Sequence, residues 1–326
     1  MNRALRILVT RLVGAVPTLA LVVIAAFALL SFAPGDAVDA YFAETGGAGG
    51  TAGDLRARWG LGGSGIEKLI AFAGGVLRGQ FGHSIVHNRQ VLDVILERLP
   101  TTMLLMALAL ALATLIGGVL GIAAGARPGG ARDRILSTTA LALNAIPNFW
   151  LGLLLILLLA VRWPLLPVGG LQSLGVPLTG LSWALDRAAH LILPTLALGL
   201  GYVALSLRSL RAGMVETWRA DHVRAARARG LPERSVIWRA VARPALLPVV
   251  VLIGQQAGTM LGGSVVVETV FAIPGMGRLA YEAVSGRDPA LLMGVALTSS
   301  LFVVAANLIV DLLLVRLDPR IGAAHA

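Results

Sequence analysis

DHVRAARARGLPERSVIWRAVARPALLP, residues Asp221 to Pro248, is the one long polar segment between the later apolar runs, and it is heavily basic. Asp221 suits a helix N-cap, because its carboxylate can accept free amide protons of the first turn. Gly230 suits the stop, since glycine enters the left-handed cap conformation without a Cβ penalty. Between them Ala225, Ala226 and Ala228 leave part of the surface almost bare, with Arg224, Arg227 and Arg229 as a fringe. A short helix of this kind suits close docking by another protein. Pro232 falls where a second helix would begin, a position that tolerates a missing amide proton. Pro244 and Pro248 interrupt the chain before the next apolar run. Taken alone, the segment reads either as a docking helix or as a solvated basic loop on anionic lipid headgroups.

Outward from that segment the chain is apolar. Of 326 residues, 57% are hydrophobic and only 13% are charged, against roughly 25% charged in soluble domains. The composition is that of an integral membrane protein. The absence of Cys excludes disulfide and thiolate chemistry. The net charge of +10 is not accompanied by interleaved aromatics or a nucleic-acid motif, so no nucleic-acid partner is expected. In a membrane chain such an excess more often sets topology. Lys68 is the only Lys and is followed by Leu69, whereas a phosphate-binding P-loop needs Lys followed by Ser or Thr. Any ATP-driven work must therefore come from a partner subunit.

Arg3, Arg6 and Arg11 precede an apolar run from Leu12 to Phe32. Roughly 20 residues span the hydrocarbon core at about 1.5 Å each, so this reads as an uncleaved first span, with Pro17 tolerated near its start. Residues 33–99 form a long polar stretch, with a glycine patch at Gly46 to Gly50 and Gly53 and short amphipathic helices expected at Ile66–Arg78 and Val91–Arg98. Further apolar runs at about 100–125, 135–161, 189–209, 245–267 and 291–315 complete six spans. With the N-terminus inside, the internal segments carry seventeen basic residues and the short external loops four, which puts both termini in the cytoplasm. The expected fold is an all-α integral membrane protein with six transmembrane helices. Its parts are a cytoplasmic N-terminus (1–11), the first span (12–32), an external loop (33–99), a transmembrane domain (100–315) that includes a cytoplasmic loop at 210–244, and a tail (316–326).

Several short words then acquire a common meaning. RAARARG followed by ALLP resembles the "EAA" loop of permease subunits of ATP-binding-cassette (ABC) importers, with Arg224 standing where that family often has Glu. Its longer spacing is similar to that of the oligopeptide/dipeptide/nickel permease family, B-type subunit. PGD (Pro34 to Asp36), WGL (Trp59 to Leu61), GQFGHS (Gly79 to Ser84), RLPTT (Arg98 to Thr102), IPNFWLG (Ile146 to Gly152), VETVFAIPGMGRL (Val267 to Leu279) and NLIVDLLLVRLDPRI (Asn307 to Ile321) extend the resemblance in order, Gln80 departing from the usual acid. The resemblance implies a homologous second permease subunit, two cytoplasmic ATPase subunits that bind ATP and Mg, and an external solute-binding protein. It implies a coupling helix formed by Asp221, Arg224, Ala225, Ala226, Arg227, Arg229 and Gly230, seated in a cleft of the ATPase.

Polar residues inside the spans are the remaining candidates. Pro147 frees a backbone group that Asn144 and Asn148 can satisfy, either as a packing kink or in a substrate path. Gln255 and Gln256 are costly against lipid, so they face a path or form interhelical hydrogen bonds; Gly262 and Gly263 follow on the same span. Glu268 is placed near the outer mouth, with Pro274, Gly275 and Gly277 as a tight turn there that would meet a binding protein or serve as a rigid turn. His83 and His87 suit a loop better than a metal site. No zinc-protease helix is present, and the chain is not expected to be an enzyme or to carry a cofactor. An ion-gradient-driven secondary transporter and a non-transporting membrane scaffold bound to lipid are the alternatives. Peptides, nickel chelates, glutathione and oligosaccharides all remain open as substrates.

Overall fold

The computed structural model describes residues 3–32, 38, 51, 65–175 and 177–317. The words at Pro34–Asp36 and Trp59–Leu61, the glycine patch and the tail from Asp318 lie outside these residues. In chain order the elements are α1 (Arg3–Phe32), α2 (Gly65–Val76), β1 (His83–Ser84), β2 (Arg89–Gln90), α3 (Val91–Gly125), α4 (Ala131–Ala145), α5 (Asn148–Leu155), α6 (Gly180–Thr217), α7 (Asp221–Ala228), α8 (Glu233–Ser235), α9 (Arg243–Ala245), α10 (Leu247–Val270), α11 (Met276–Ser285) and α12 (Pro289–Leu317). Wider π-helical turns extend α5 through Ile156–Arg162 and link α8 to α9 through Val236–Ala242. The only strands among the described residues are the antiparallel pair β1–β2, with His83 opposite Gln90.

Among the described residues five helices are long and apolar enough to cross a membrane, and α4 with α5 makes a sixth if that bent pair is one span. The bend is 98°, far more than the kink expected of a 135–161 span. Its cause is local. Ile146 (φ −82°, ψ 125°) and Pro147 (φ −62°, ψ 136°) are both extended, since the residue before a proline is pushed out of the helical region.

A second difference lies at Val91–Arg98, expected to be a separate surface helix. It forms the first turns of the 35-residue α3, which continues through Pro100. Pro100 and Leu96, whose carbonyl the proline cannot pair, are both on the exposed side. Val91, Val94 and Ile95 are buried on the other side.

The chain forms two compact units. One comprises 103–273 with the described parts of 1–8 and 305–326. Its axis is α6, where Leu193, Ala197, Leu198, Ala204, Leu207, Leu210 and Met214 are buried. Glycines let α3 approach it closely: a Cβ at Gly117, Gly121 or Gly125 would come within 2.7–2.9 Å of Ser206, Leu210 or Met214. Lipid supplies no hydrophobic force between membrane helices, so such backbone approach is a main source of their association. Helix α4 packs on α6 through Leu136, Ala140 and Leu143 against Ala204 and Leu207.

The other unit comprises 9–102 and 274–304. Its core joins Val91, Val94 and Ile95 of α3 to Met276, Leu279 and Ala283 of α11 and Leu291 and Val295 of α12. Val23 of α1, Phe72 of α2 and Met293 of α12 form a second cluster.

Candidate functional site

The basic segment opens as the eight-residue α7. Its boundaries correct the N-cap expectation. Ala220 is the capping residue and Asp221 the first residue inside the helix, where its carboxylate pairs with Arg224 at 3.3 Å. An acid in the first turn still complements the positive end of the helix dipole. The stop is as expected: Gly230 has φ +72°. Its amide donates to the Arg227 carbonyl (2.9 Å) and that of Leu231 to the Ala226 carbonyl (3.4 Å), the paired closure of a Schellman motif.

Val223 and Ala226, three residues apart, are buried, while Arg224, Ala225, Ala228 and Arg229 are exposed. Ala226 therefore does not belong to the bare outer patch; it is 3% exposed in a core with Leu210, Met214, Val236, Val241, Ala242, Ala245 and Val249. The helix is fixed by one face to its own chain and leaves the other free.

Polar contacts fasten the seat. Arg227 Nη2 donates to Glu233 Oε1 (2.6 Å), and its guanidinium lies 4.7 Å from the centre of the Trp218 ring. The Trp218 indole Nε1 donates to the Gly125 carbonyl at the end of α3 (2.8 Å). His222 Nε2 donates to the Ala240 carbonyl (2.9 Å). Arg211, near the end of α6, forks onto Asp133 in the first turn of α4, with Nη2–Oδ2 at 2.8 Å.

Among the residues expected along a substrate path, Gln255 and Asn144 are exposed, Asn148 is half-buried and Gln256 is buried. Gln256 Nε2 donates to Ser206 Oγ at 3.5 Å, a hydrogen bond between α10 and α6. One turn on, Tyr202 donates to Thr259 Oγ1 (3.3 Å). The Asn148 amide lies opposite Gly201 and Gly263, 3.6 Å from where a Cβ on either would stand. Gln255, Thr259 and Gly262 are exposed on α10, a polar and small-residue strip along one side of the helix.

The residues expected at the outer mouth are mostly covered. Glu268 is fully buried, and Gly275 and Gly277 are buried with Pro274 half-buried. The left-handed residue here is Ala272 (φ 50°), whereas Gly275 is extended (φ −120°, ψ −177°) and caps α11. Phe271 fills the space at Gly152, where a Cβ would lie 3.0 Å from its ring, and its carbonyl accepts the Gly170 amide (2.8 Å).

Residues 117–323 match the family described as binding-protein-dependent transport system inner membrane component. The chain belongs to this family. The permease is 36% identical over 265 residues to the oligopeptide transport system permease protein AppB of Bacillus subtilis (strain 168), covering 81% of this chain and 83% of that protein. It is 34% identical over 334 residues to the dipeptide transport system permease protein DppB of Escherichia coli (strain K12), covering 97% and 98% of the two. The di/tripeptide transport system permease protein DppB of Pseudomonas aeruginosa (strain UCBPP-PA14) is 33% identical over 321 residues, covering 94% and 95%.

In the permease's other unit, two of the sequence words meet. Thr102 of RLPTT accepts the Met276 amide of IPGMG at 2.7 Å, capping the first turn of α11. Asp288, missed in the sequence, is fully buried and organises the turn between β1 and β2. Its Oδ2 accepts from Ser84 Oγ (2.7 Å), the Ile85 amide (2.7 Å) and the Val86 amide (3.2 Å), while Oδ1 accepts the Leu291 amide (3.0 Å). An Asp directly before Pro289 is a readable helix N-cap signal; its second set of donors is not. His83 turns to Asn88 Oδ1 (3.2 Å) and His87 to Glu282 Oε2 (3.4 Å), so the two do not converge.

Gly230→Val is expected to leave the permease inserted while import falls about tenfold. Nothing lies within 4 Å of a Cβ there, so the defect is one of backbone alone. A left-handed residue costs an L-amino acid roughly 1–2 kcal/mol, more if β-branched, and Asn tolerates it best. Gly230→Asn is expected to retain most import. Uptake measured at equal membrane levels checks both.

Proposed function

We propose that this chain is the B-type permease subunit of an ABC importer that moves peptides inward by alternating access. The carrying observation is α7: eight residues held by Val223 and Ala226 on one side, closed by a left-handed glycine, with Ala225, Ala228 and the Arg fringe on the other. The names of the relatives support peptides as the substrate class.

In this reading α7 is the coupling helix and sits in a cleft of a cytoplasmic ATPase, with both termini of the permease on the same side. ATP and Mg bind to the two ATPase subunits. Their closure displaces α7, and its fastening to α6, α9 and α10 carries the movement into the spans. A second, homologous permease completes the conduit, with Gln255, Thr259 and Asn148 facing the path. An external binding protein delivers the peptide. ATP-driven import distinguishes this from an ion-gradient transporter, and import itself from a scaffold.

The experiment places single cysteines at Ala225 and Ala228 in the chain, which has no other Cys. With the ATPases co-expressed, both are expected to cross-link to them, with a yield that changes on adding ATP. Labelling of either position only from outside the cell would refute the coupling role. Uptake should stop on ATP depletion and survive collapse of the proton gradient.

A further inference from the structure

Asp133 is 2% exposed, yet it carries no isolated charge. Its carboxylate accepts Nε and Nη2 of Arg211, the Gly129 amide (2.8 Å) and Ser137 Oγ (3.2 Å). The fork joins two helices that also meet through apolar residues: Leu136, Ala140 and Leu143 against Ala204 and Leu207. Small apolar side chains such as Ala140 against Ala204 bring the two helices together without a directional bond. A planar guanidinium forked onto a carboxylate adds geometric specificity. Buried ion pairs are often no more stabilising than apolar residues of similar volume, and fixing register is their best-attested use.

The position of the pair gives register a consequence. Arg211 lies between Leu210 and Met214, the residues of α6 that seat α7. Asp133 opens α4, which runs to Ala145, directly before the 98° break and Asn148. We propose that the Asp133–Arg211 pair is the positioning link that transmits displacement of α7 through α4 to the break at Ile146–Pro147, and so to Asn148. Without it, the end of α6 slides along α4 and the stroke is lost before the break. The proposal rests on the coupling role of α7.

The test uses the full complex, with both permeases, the ATPases and the binding protein, in proteoliposomes. Arg211→Lys keeps the charge and loses the fork. It is expected to assemble and to hydrolyse ATP within twofold of the unsubstituted complex. Peptide imported per ATP should fall five- to tenfold. Parallel loss of import and hydrolysis would mark a merely structural role and overturn the proposal, as would a ratio within twofold of normal. If Arg211→Lys does not accumulate, the double variant Asp133→Asn/Arg211→Gln, which leaves no buried charge, is read by the same ratio. Failure of both to accumulate makes the pair a folding element and ends the proposal. Should the unsubstituted complex import peptide without ATP hydrolysis, it is the coupling reading that fails.

Discussion

Ala226→Asp is expected to abolish import and to release the ATPases from the purified complex. Ala226 faces inward among Leu210, Met214, Val223 and Val249. A carboxylate placed there costs several kcal/mol in lost hydration. An eight-residue helix has little stability of its own and depends on its packed face. The helix should therefore detach from its seat. Ala225→Asp, one residue away on the exposed face, should leave the seat intact and act only where the partner docks. Co-purification of the ATPases, together with uptake, separates the two. Normal import by Ala226→Asp would show that α7 does not work from this seat.

Asp288→Ala should be the most damaging single change in the unit built from 9–102 and 274–304. It removes the acceptor for three donors of the 84–86 turn and for the first turn of α12. Hydrogen bonds to a charged group contribute about 1.5–3 kcal/mol each. Shared acceptors are not additive, so a loss of roughly 3–6 kcal/mol is expected. Asp288→Asn should be milder at Leu291 and still harmful at the turn, because an amide NH2 cannot accept there. Thermal unfolding of the detergent-solubilised protein, followed by size-exclusion chromatography, measures this. A midpoint within about 2 °C of the parent would refute it, since 1 kcal/mol moves a domain of this size by about that much or more.

The apolar runs were legible because a bilayer demands long apolar helices, and each run lies within the helix or bent pair found there, except that the 245–267 run starts two residues before α10. What sequence could not give was side-chain direction and distance. Ala226 read as bare surface because alanine is equally at home in either setting; its burial follows only once Val223 is placed on the same face. Asp221 sat one residue inside the helix because Ala220 already had the extended conformation that a cap requires. Pro147 announced a break, but its angle depends on the conformations of Ile146 and Pro147 together. Asp133 with Arg211, Trp218 with Gly125, and Ser84 with Asp288 join residues 78, 93 and 204 positions apart, and nothing local marks those partnerships. The spacing of Gly117, Gly121 and Gly125 was readable as a close-packing signal, although not the helix it would meet.

That spacing has a consequence for how the protein experiences its solvent. Along Gly117, Gly121 and Gly125 the backbone of α3 rests directly on α6, leaving a seam too narrow for an acyl chain to wedge open. Changes in tail length or unsaturation can press on the outward faces of these two rods without reaching the line where they touch. Sensitivity of import to membrane fluidity is then expected to arise at other surfaces, such as the exposed sides of α1.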